Sequence, residues 1–256
     1  MKLNRDILHR VMVIAQEMTE IGAEISRVEE SVDRICCAYG AVRTDVFATI
    51  SNVIVSVEDE NGAVITQTRR IKKQISNNME KLHQYNDLVR WMTVNTPERQ
   101  EIDERLEKVR AAKKYPSWMS VLFSALVSSA FCLFFGSRSY QEIITAFVVG
   151  IASGLLMELL SRIRFNPILV RFLCALAASL IAMAAMLLNF IQTPEYVLIG
   201  NIMTLIPGVG LTNAMRDLFS GDAISGVLRS IEALLFALAI AVGIMLPSLL
   251  SGGVLS

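Results

Sequence analysis

The sequence predicts an α+β N-terminal domain, residues 1–115, followed by an all-α membrane domain, residues 116–256. Composition is the first reason, since 53% of the 256 residues are hydrophobic, more than a soluble domain usually holds. Charge is the second: residues 1–115 carry 18 Lys or Arg and 18 Asp or Glu, whereas the rest of the chain carries 6 and 6. The third is a series of long apolar stretches confined to the second half.

Two helices are expected to open the N-terminal domain. Apolar residues recur at helical spacing from Asn4 to about Ile21 and predict the first helix, which Gly22 should end. Ser26 followed by Glu29 has the form of a capping box, in which two side chains satisfy free backbone N–H groups at a helix start. The second helix is expected to follow this box and to end at Gly40.

A small sheet and two further helices are expected next. Residues rich in β-branched side chains predict three strands: 46–50, 53–57 and 63–68. Asn61-Gly62 is a typical hairpin turn between the last two strands. A helix is predicted over residues 78–92, and Thr96-Pro97-Glu98 has the order of cap, proline and acid that is typical of a helix start.

The second half contains five apolar stretches long enough to cross a bilayer as helices: residues 115–137, 143–160, 168–190, 196–215 and 227–250. The fourth is broken at Pro207-Gly208-Val209-Gly210, because proline removes a backbone donor and glycine loosens a helix. In hydrocarbon, freed backbone groups persist only where protein or a watery cavity covers them. The prediction is therefore five transmembrane helices, with the fourth broken at Pro207–Gly210.

The broken span is the predicted substrate pathway, since an apolar segment interrupted by Pro or Gly is typical of a transporter's binding site. The alternative is a kink without a ligand, or a segment that ends at Ile206 and leaves the membrane. The pathway residues are the polar and helix-breaking ones along the span: Asn201, Pro207, Gly208, Gly210, Asn213, Arg216 and Asp217. If Leu211 starts a half-helix, its free N–H groups suit a solute that bears a carboxylate.

Two further candidates are charges inside the predicted spans, Glu158 and Arg171. Both lie within about a turn or two of one membrane face, where long side chains reach water at little cost. Two interpretations are open. The residues form a structural Glu–Arg pair between the second and third spans, or they take part in the passage of protons or substrate.

The orientation follows from two observations. The start of the chain carries acids and an amphipathic pattern instead of the continuous apolar core of a signal peptide, which predicts a cytoplasmic N-terminal domain. With five spans, only Arg138 then lies outside, and the other arginines of the second half lie at or near the cytoplasmic face, as the positive-inside rule requires: Arg162, Arg164, Arg171, Arg216 and Arg229. We expect a multi-pass protein of a bacterial cytoplasmic (inner) membrane with its C-terminus outside.

No catalytic constellation, metal site or cofactor is predicted. The two histidines and four cysteines lack zinc-ligand spacing, no phosphate-binding lysine motif indicates ATP hydrolysis, and the cysteines are expected to be reduced packing residues. Neither half has the basic excess of a nucleic-acid-binding protein. The N-terminal domain offers four candidate site residues, near the Gly22 break and at the end of the third strand: Glu24, Arg27, Glu29 and Arg69.

Several motifs together resemble the threonine/serine exporter family. They run in order along nearly the whole chain: Gly22-Ala23-Glu24, Arg27-Val28-Glu29-Glu30, Thr68-Arg69-Arg70, Ile206-Pro207-Gly208, Asn213-Ala214, Asp217 and Gly221-Asp222. The resemblance implies a cytoplasmic N-terminal domain and export of small hydrophilic amino acids, or of dicarboxylates such as succinate. Fused members carry roughly twice as many spans, so the chain resembles the larger subunit of the two-subunit branch. Its expected partner is a small all-membrane subunit, with a homo-oligomer as second choice.

The predicted function is that of a subunit of a secondary transporter that exports threonine and serine or small dicarboxylates across the cytoplasmic membrane. The alternative is a membrane-anchored enzyme or ligand sensor that acts through the cytoplasmic domain. An enzyme would need a catalytic constellation, which the sequence lacks. A sensor would need one anchoring span only, and the broken helix would have no purpose.

Overall fold

The computed structural model describes residues 3–72, 78–112, 115–163 and 165–250. Arg164, which the sequence places at the cytoplasmic face, lies outside these residues. The chain divides into two compact units. The first, here called the N-terminal unit, comprises the described residues of Met1–Lys113 and Val209–Ser230. The second, here called the membrane unit, comprises those of Lys114–Gly208 and Ile231–Ser256.

The N-terminal unit begins with the predicted order of two helices, three strands and two helices: α1 (Arg5–Glu20), α2 (Ile25–Ala38), β1 (Arg43–Ala48), β2 (Asn52–Glu58), β3 (Val64–Arg70), α3 (Met79–Asn95) and α4 (Arg99–Ala111). The strands form an antiparallel sheet in the order β1-β2-β3, as two successive hairpins would. Strand β2 buries every second residue, Val53, Val55 and Val57, in a core shared with the helices.

Helix α1 is closed at both ends, and Gly22 ends it as the sequence predicts. Asn4 caps its start, since the Asn4 Oδ1 accepts a hydrogen bond from the Ile7 N–H at 2.8 Å. At the other end Gly22 adopts a φ of 88°, in the left-handed region that glycine tolerates. The Ala23 N–H then bonds back to the Met18 carbonyl at 3.0 Å and closes the turn.

Two predicted helix starts are wrong. Helix α2 begins at Ile25 with Glu24 as its N-cap residue, so Ser26 is already helical and the capping box with Glu29 does not form. Thr96 adopts a left-handed conformation (φ 43°) at the C-terminal end of α3, and Glu98 is the N-cap residue of α4. Ser26 and Thr96 thus both lie close to a helix start, but neither residue is the N-cap of that helix.

The second half of the chain is all helical in its described elements: α5 (Ser117–Phe134), α6 (Tyr140–Arg162), α7 (Pro167–Leu187), α8 (Pro194–Leu205), α9 (Gly208–Phe219) and α10 (Ala223–Leu250). Four of them, α5, α6, α7 and α10, are long and apolar enough to cross a membrane. Helices α8 and α9 form a bent pair, and a fifth span results if the pair is counted as one. The structure thus has four candidate spans, or the predicted five if α8 and α9 are counted as one span.

Two glycines let α5 pack tightly between its neighbours in the membrane unit. A Cβ atom on Gly150 of α6 would lie 2.6 Å from the Ala125 Cα, and one on Gly200 of α8 would lie 2.4 Å from the Ser128 carbonyl oxygen. Real Cβ atoms do not approach backbone atoms so closely. Small residues at such crossings are typical of membrane helices, because there packing supplies much of the attraction.

Candidate functional site

The first candidate site lies in the N-terminal unit, at the turn between α1 and α2. Two carbonyl groups of this turn accept hydrogen bonds from the second half of the chain. Asn213 Nδ2 donates to the Gly22 oxygen at 2.9 Å, and Arg229 Nη2 donates to the Ala23 oxygen at 2.9 Å. Both donor residues are buried. Because a buried carbonyl group without a partner is costly, these bonds stabilise the turn and the start of α10 together.

Asp217 of α9 completes this buried cluster. Its Oδ1 accepts a hydrogen bond of 3.4 Å from the Ile25 N–H, one of the free donors at the start of α2. Its Oδ2 lies 3.2 Å from Arg229 Nε, close enough for an ion pair, although the N–H is not aimed at that oxygen. The two side chains are 0% and 5% exposed, so water hardly screens the attraction between them. We call Asn213, Asp217 and Arg229 the docking cluster.

A further contact lies at the edge of the docking cluster, where Arg216 forms an ion pair with Glu24. These side chains are 55% and 21% exposed, so solvent weakens their attraction. The structure therefore brings together Asn213, Arg216 and Asp217, which the sequence assigned to the pathway, and Glu24, which it assigned to the N-terminal domain.

Glu29 lies on α2 but points to the sheet instead of to the helix start. Its Oε1 accepts a hydrogen bond of 2.8 Å from the Ala48 N–H at the end of β1. Burial raises the pKa of the Glu29 carboxyl group, the Ala48 N–H opposes this shift, and the negative charge of Asp222 adds to it. The Glu29 carboxylate thus links α2 to the sheet. This role is independent of the docking cluster.

The remaining two candidates of the N-terminal domain lie apart from each other. Arg27 is exposed on α2. Arg69 lies on β3, where its Nη1 donates to Gln16 Oε1 at 3.1 Å and its Nη2 lies 3.2 Å from His9 Nε2, both on α1. Arg69 therefore ties the edge of the sheet to α1.

The break in the fourth span is supported by Arg171 in the membrane unit. Helix α8 ends at Leu205, because Pro207 cannot continue it, and this frees the Leu205 carbonyl group. Arg171 Nε donates to that oxygen at 3.3 Å, and the guanidinium lies over the Phe236 ring at 3.6 Å. Of the two interpretations of Glu158 and Arg171, the structural pair is not what the described contacts show, because Arg171 supplies a backbone partner at the break.

Pro207, Gly208 and Gly210 lie where the chain changes from α8 to α9. The Gly208 N–H bonds to the Ile206 carbonyl oxygen at 2.9 Å, and α9 begins at Gly208. The expected half-helix thus starts three residues before Leu211, and Gly210 lies in its first turn. Open space surrounds Gly208, where an added Cβ would meet no atom within 4 Å.

Glu158, the other intramembrane charge, lies near the end of α6. Its Oε1 accepts a hydrogen bond from Ser117 Oγ at 2.6 Å and lies 3.4 Å from Arg162 Nε. Arg162 is one helical turn away and exposed, as expected of a long side chain that reaches toward water. Glu158 thus contacts the start of α5 and its own helix.

Asn201 differs from these charged residues. It lies in α8 with 1% of its surface exposed, and its Oδ1 has no hydrogen-bond partner among the described residues. The buried hydroxyl groups of Ser128 on α5 and Ser153 on α6 are in the same situation. A buried polar atom without a partner costs about 1–3 kcal/mol in a protein. Water or a bound solute would remove that cost.

Two functional residues escaped the sequence analysis. Arg229 served there only to orient the chain in the membrane. A cation at the start of a long apolar helix is nevertheless itself a sign of a functional or paired residue. Glu142 was placed before the second span, but α6 begins at Tyr140 and Glu142 is 4% exposed. Its carboxylate accepts hydrogen bonds from Ser137 Oγ at 2.6 Å and from the Thr193 N–H at 3.2 Å. It thus joins the α5–α6 and α7–α8 connections.

Metal ligation finds no support in the part of the chain that the structure describes, where no group of three His, Cys, Asp or Glu could hold an ion. All four cysteines are free thiols. Cys36, Cys132 and Cys174 are buried as predicted, but Cys37 is exposed, so its assignment as a packing residue is wrong. Burial raises the pKa of Cys36 to about 12, which keeps this thiol protonated and unreactive.

The chain is similar to known proteins over almost its full length. Residues 9–250 match the family described as "Putative threonine/serine exporter". Two relatives are named "Probable succinate transporter subunit YjjP". That of Klebsiella aerogenes is 26% identical over 90% of this chain and 88% of its own, and that of Escherichia coli K12 is 25% identical over 88% and 87%. A "Probable threonine/serine exporter" of Mycobacterium tuberculosis is 23% identical over 94% of this chain and 46% of its own. No solved structure is significantly similar.

Proposed function

We propose that this chain, which belongs to the threonine/serine exporter family, is a subunit of a secondary transporter that exports small polar solutes. It is a multi-pass membrane protein with four to five candidate spans. The proposed cargo is threonine and serine or a small dicarboxylate such as succinate, after the names of its relatives.

The observation that carries the proposal is Asn201. An amide buried in an apolar helix of a membrane unit normally bonds to a neighbouring helix, yet its Oδ1 has no partner among the described residues. Asn201 also lies about one turn before the end of α8 at Leu205, next to the break at Pro207, where helix termini and loosened backbone are typical of transporter sites. A passing solute that offers a hydrogen-bond donor would satisfy this oxygen.

The pathway would run along the broken span. In this proposal Asn201 lies inside it, and Pro207, Gly208 and Gly210 allow the span to bend. Arg171 supports the freed backbone, and Glu158 adds a charge near one membrane face. Asn213, Arg216 and Asp217 hold the second half of the broken span to the turn at Gly22, so they would position the mouth of the pathway and not line it.

A second, small all-membrane subunit would complete the transporter. The word "subunit" in the names of the two nearly full-length relatives supports a partner, as does the chain's match to less than half of the Mycobacterium exporter. We place the N-terminal domain, residues 1–115, in the cytoplasm and the C-terminus outside, because the arginines of the second half then lie mostly on the cytoplasmic side.

Efflux from preloaded cells tests the proposal. Cells that lack their own exporters are loaded with labelled serine, threonine or succinate and express this chain alone or with its candidate small partner. We expect efflux of at least one solute, and only with the partner. Efflux from the chain alone would contradict the two-subunit arrangement. No efflux in either condition, with both proteins present in the membrane, would contradict the transporter itself.

A further inference from the structure

A cleft in the membrane unit lies between α5, α6 and α8. Its volume is about 350 Å³, within the range of ~300–1,000 Å³ typical of sites for small molecules. Hydroxyl groups from all three helices line it, together with one carboxylate: Ser120, Ser124, Ser153, Ser161, Thr204 and Glu158. Two of these hydroxyl groups donate within their own helices, Ser161 Oγ to the Glu158 oxygen at 2.8 Å and Thr204 Oγ1 to the Asn201 oxygen at 2.7 Å. A hydroxyl group that donates in this way still has lone pairs that accept from a polar ligand.

Ser153 provides independent evidence that the cleft takes a polar ligand. This residue of α6 is 1% exposed and lines the cleft, yet its Oγ has no hydrogen-bond partner among the described residues. Serine in a membrane helix ordinarily bonds to the carbonyl group one turn back, as Ser129 Oγ does to the Ala125 oxygen at 3.0 Å. The Ser153 hydroxyl is thus buried beside the cleft, with its hydrogen-bonding capacity unused by the described residues.

The charge of the cleft narrows the class of ligand. Among the described residues that line it, Glu158 is the one charged group, and none is Lys or Arg. The neighbouring Arg162 is exposed and already pairs with Glu158. A dicarboxylate would bring two negative charges to a lining of hydroxyl groups and one carboxylate, and the described lining itself holds no cation. A net-neutral solute with an ammonium group and several hydrogen-bonding atoms would balance its own carboxylate and pair with Glu158.

We propose that this cleft, which reaches the end of α8 beside the break at Pro207, is a solute-binding site of the transporter, and that it takes a small net-neutral, zwitterionic solute in preference to a dicarboxylate. The inference rests on the proposed transport function, because it gives the hydroxyl-lined cleft a cargo. Ser153 donates to or accepts from the solute, and Ser124 and Thr204 face it from α5 and α8.

Cysteine labelling tests the site without measuring transport. Ser124→Cys is made in full-length chain in which the exposed Cys37 is replaced by Ser, and membrane fragments are treated with a charged methanethiosulfonate that does not enter hydrocarbon. Leu155→Cys is the matched control, since Leu155 on α6 is 55% exposed and does not line the cleft. The thiolate is the reacting species and forms only in contact with water, so we expect Ser124→Cys to react about tenfold faster than the control.

Solutes are then added as protecting ligands. Serine and threonine should slow the labelling of Ser124→Cys several-fold, and succinate at the same concentration should not. Adding Ser153→Ala should raise the concentration needed for protection about fivefold, the effect of one neutral hydrogen bond. Ser129→Ala, which changes a serine outside the cleft, should leave protection unchanged.

Three results would overturn the site. Labelling no faster than at Leu155→Cys would mean that the cleft is dry. Protection by succinate as good as that by serine would contradict the zwitterionic class, and protection unchanged by Ser153→Ala would remove this residue from the site. The efflux assay separates the two proposals: efflux without protection would contradict the cleft alone, and protection without efflux would contradict transport alone.

Discussion

Two sets of buried polar side chains, one in each unit, differ in their contacts. In the N-terminal unit, Asn213, Asp217 and Arg229 each contact a backbone group of the turn between α1 and α2. In the membrane unit, Asn201 Oδ1 and the hydroxyl groups of Ser128 and Ser153 have no partner among the described residues. Because burial without a partner is costly, the second set keeps its cost unless water or solute visits it.

We propose that this difference separates structural polar residues from functional ones. A polar residue that is held by contacts with the turn at Gly22 should be needed for stability, whereas one left without a described partner should be needed for transport and dispensable for stability. Asn213 and Asn201 are the same residue type, only 12 positions apart, so the contacts of each amide decide between these roles and the residue type does not.

The largest effect is expected in the docking cluster. Asp217→Leu leaves Arg229 buried without its negative partner, and loss of one member of such a pair costs about 3–5 kcal/mol. The free energy of unfolding of the purified full chain would fall by that order, as measured by denaturant or thermal unfolding in detergent.

A double variant sharpens this prediction. Asp217→Leu with Arg229→Met removes both charges, so it should be less destabilising than Asp217→Leu alone. The double variant could instead lose as much unfolding free energy as Asp217→Leu and Arg229→Met lose together. Asp217 and Arg229 would then not act as a pair, and the contrast between the two units would weaken.

A packing change in the membrane unit should have the next largest effect. In Gly200→Ala the new Cβ would lie 2.4 Å from the Ser128 carbonyl oxygen, so α5 and α8 must separate, at a cost of about 1–3 kcal/mol. Gly208→Ala is the matched control, because its Cβ meets nothing within 4 Å. Thermal unfolding of the two variants checks this: equal melting temperatures would contradict the close approach of the two helices.

Replacing Arg171 should lower the free energy of unfolding by a similar or smaller amount. Arg171→Met removes the donor that satisfies the Leu205 carbonyl group at the break, which leaves a buried acceptor unpaired at about 1–3 kcal/mol. Arg162→Met, an exposed cation on the neighbouring span, should change the unfolding free energy by less than about 1 kcal/mol. Similar losses in both variants would mean that surface charge, and not the break, sets the cost.

The smallest effect is expected at the exposed edge of the docking cluster. Glu24→Gln weakens the ion pair with Arg216, and such partly exposed pairs contribute about 0.2–1 kcal/mol. High salt should reduce the difference from the unchanged protein, since ions screen exposed charges. A loss as large as that of Asp217→Leu would show that Glu24 belongs to the buried part of the cluster.

Local patterns explain what the sequence could predict. Periodicity located the helices and β2, and Gly22 marked the turn, because each depends on neighbours within a few residues. The capping box at Ser26 failed since the start of α2 receives its carboxylate from Asp217, 192 residues later. The structural pair of Glu158 and Arg171 is likewise not what the described contacts show. Arg171 bonds to a backbone oxygen 34 residues away, which no side-chain pattern reveals.

The measurement that tests the central claim most directly compares stability with flux in Asn201→Leu. The substitution replaces an amide that has an unpartnered oxygen with an apolar side chain of similar size, which is nearly neutral or stabilising for a buried site. We predict an unfolding free energy that is unchanged or higher, together with loss of serine, threonine or succinate efflux per molecule in the membrane. A destabilised protein with unchanged efflux per molecule would contradict the account, because Asn201 would then be structural like Asn213.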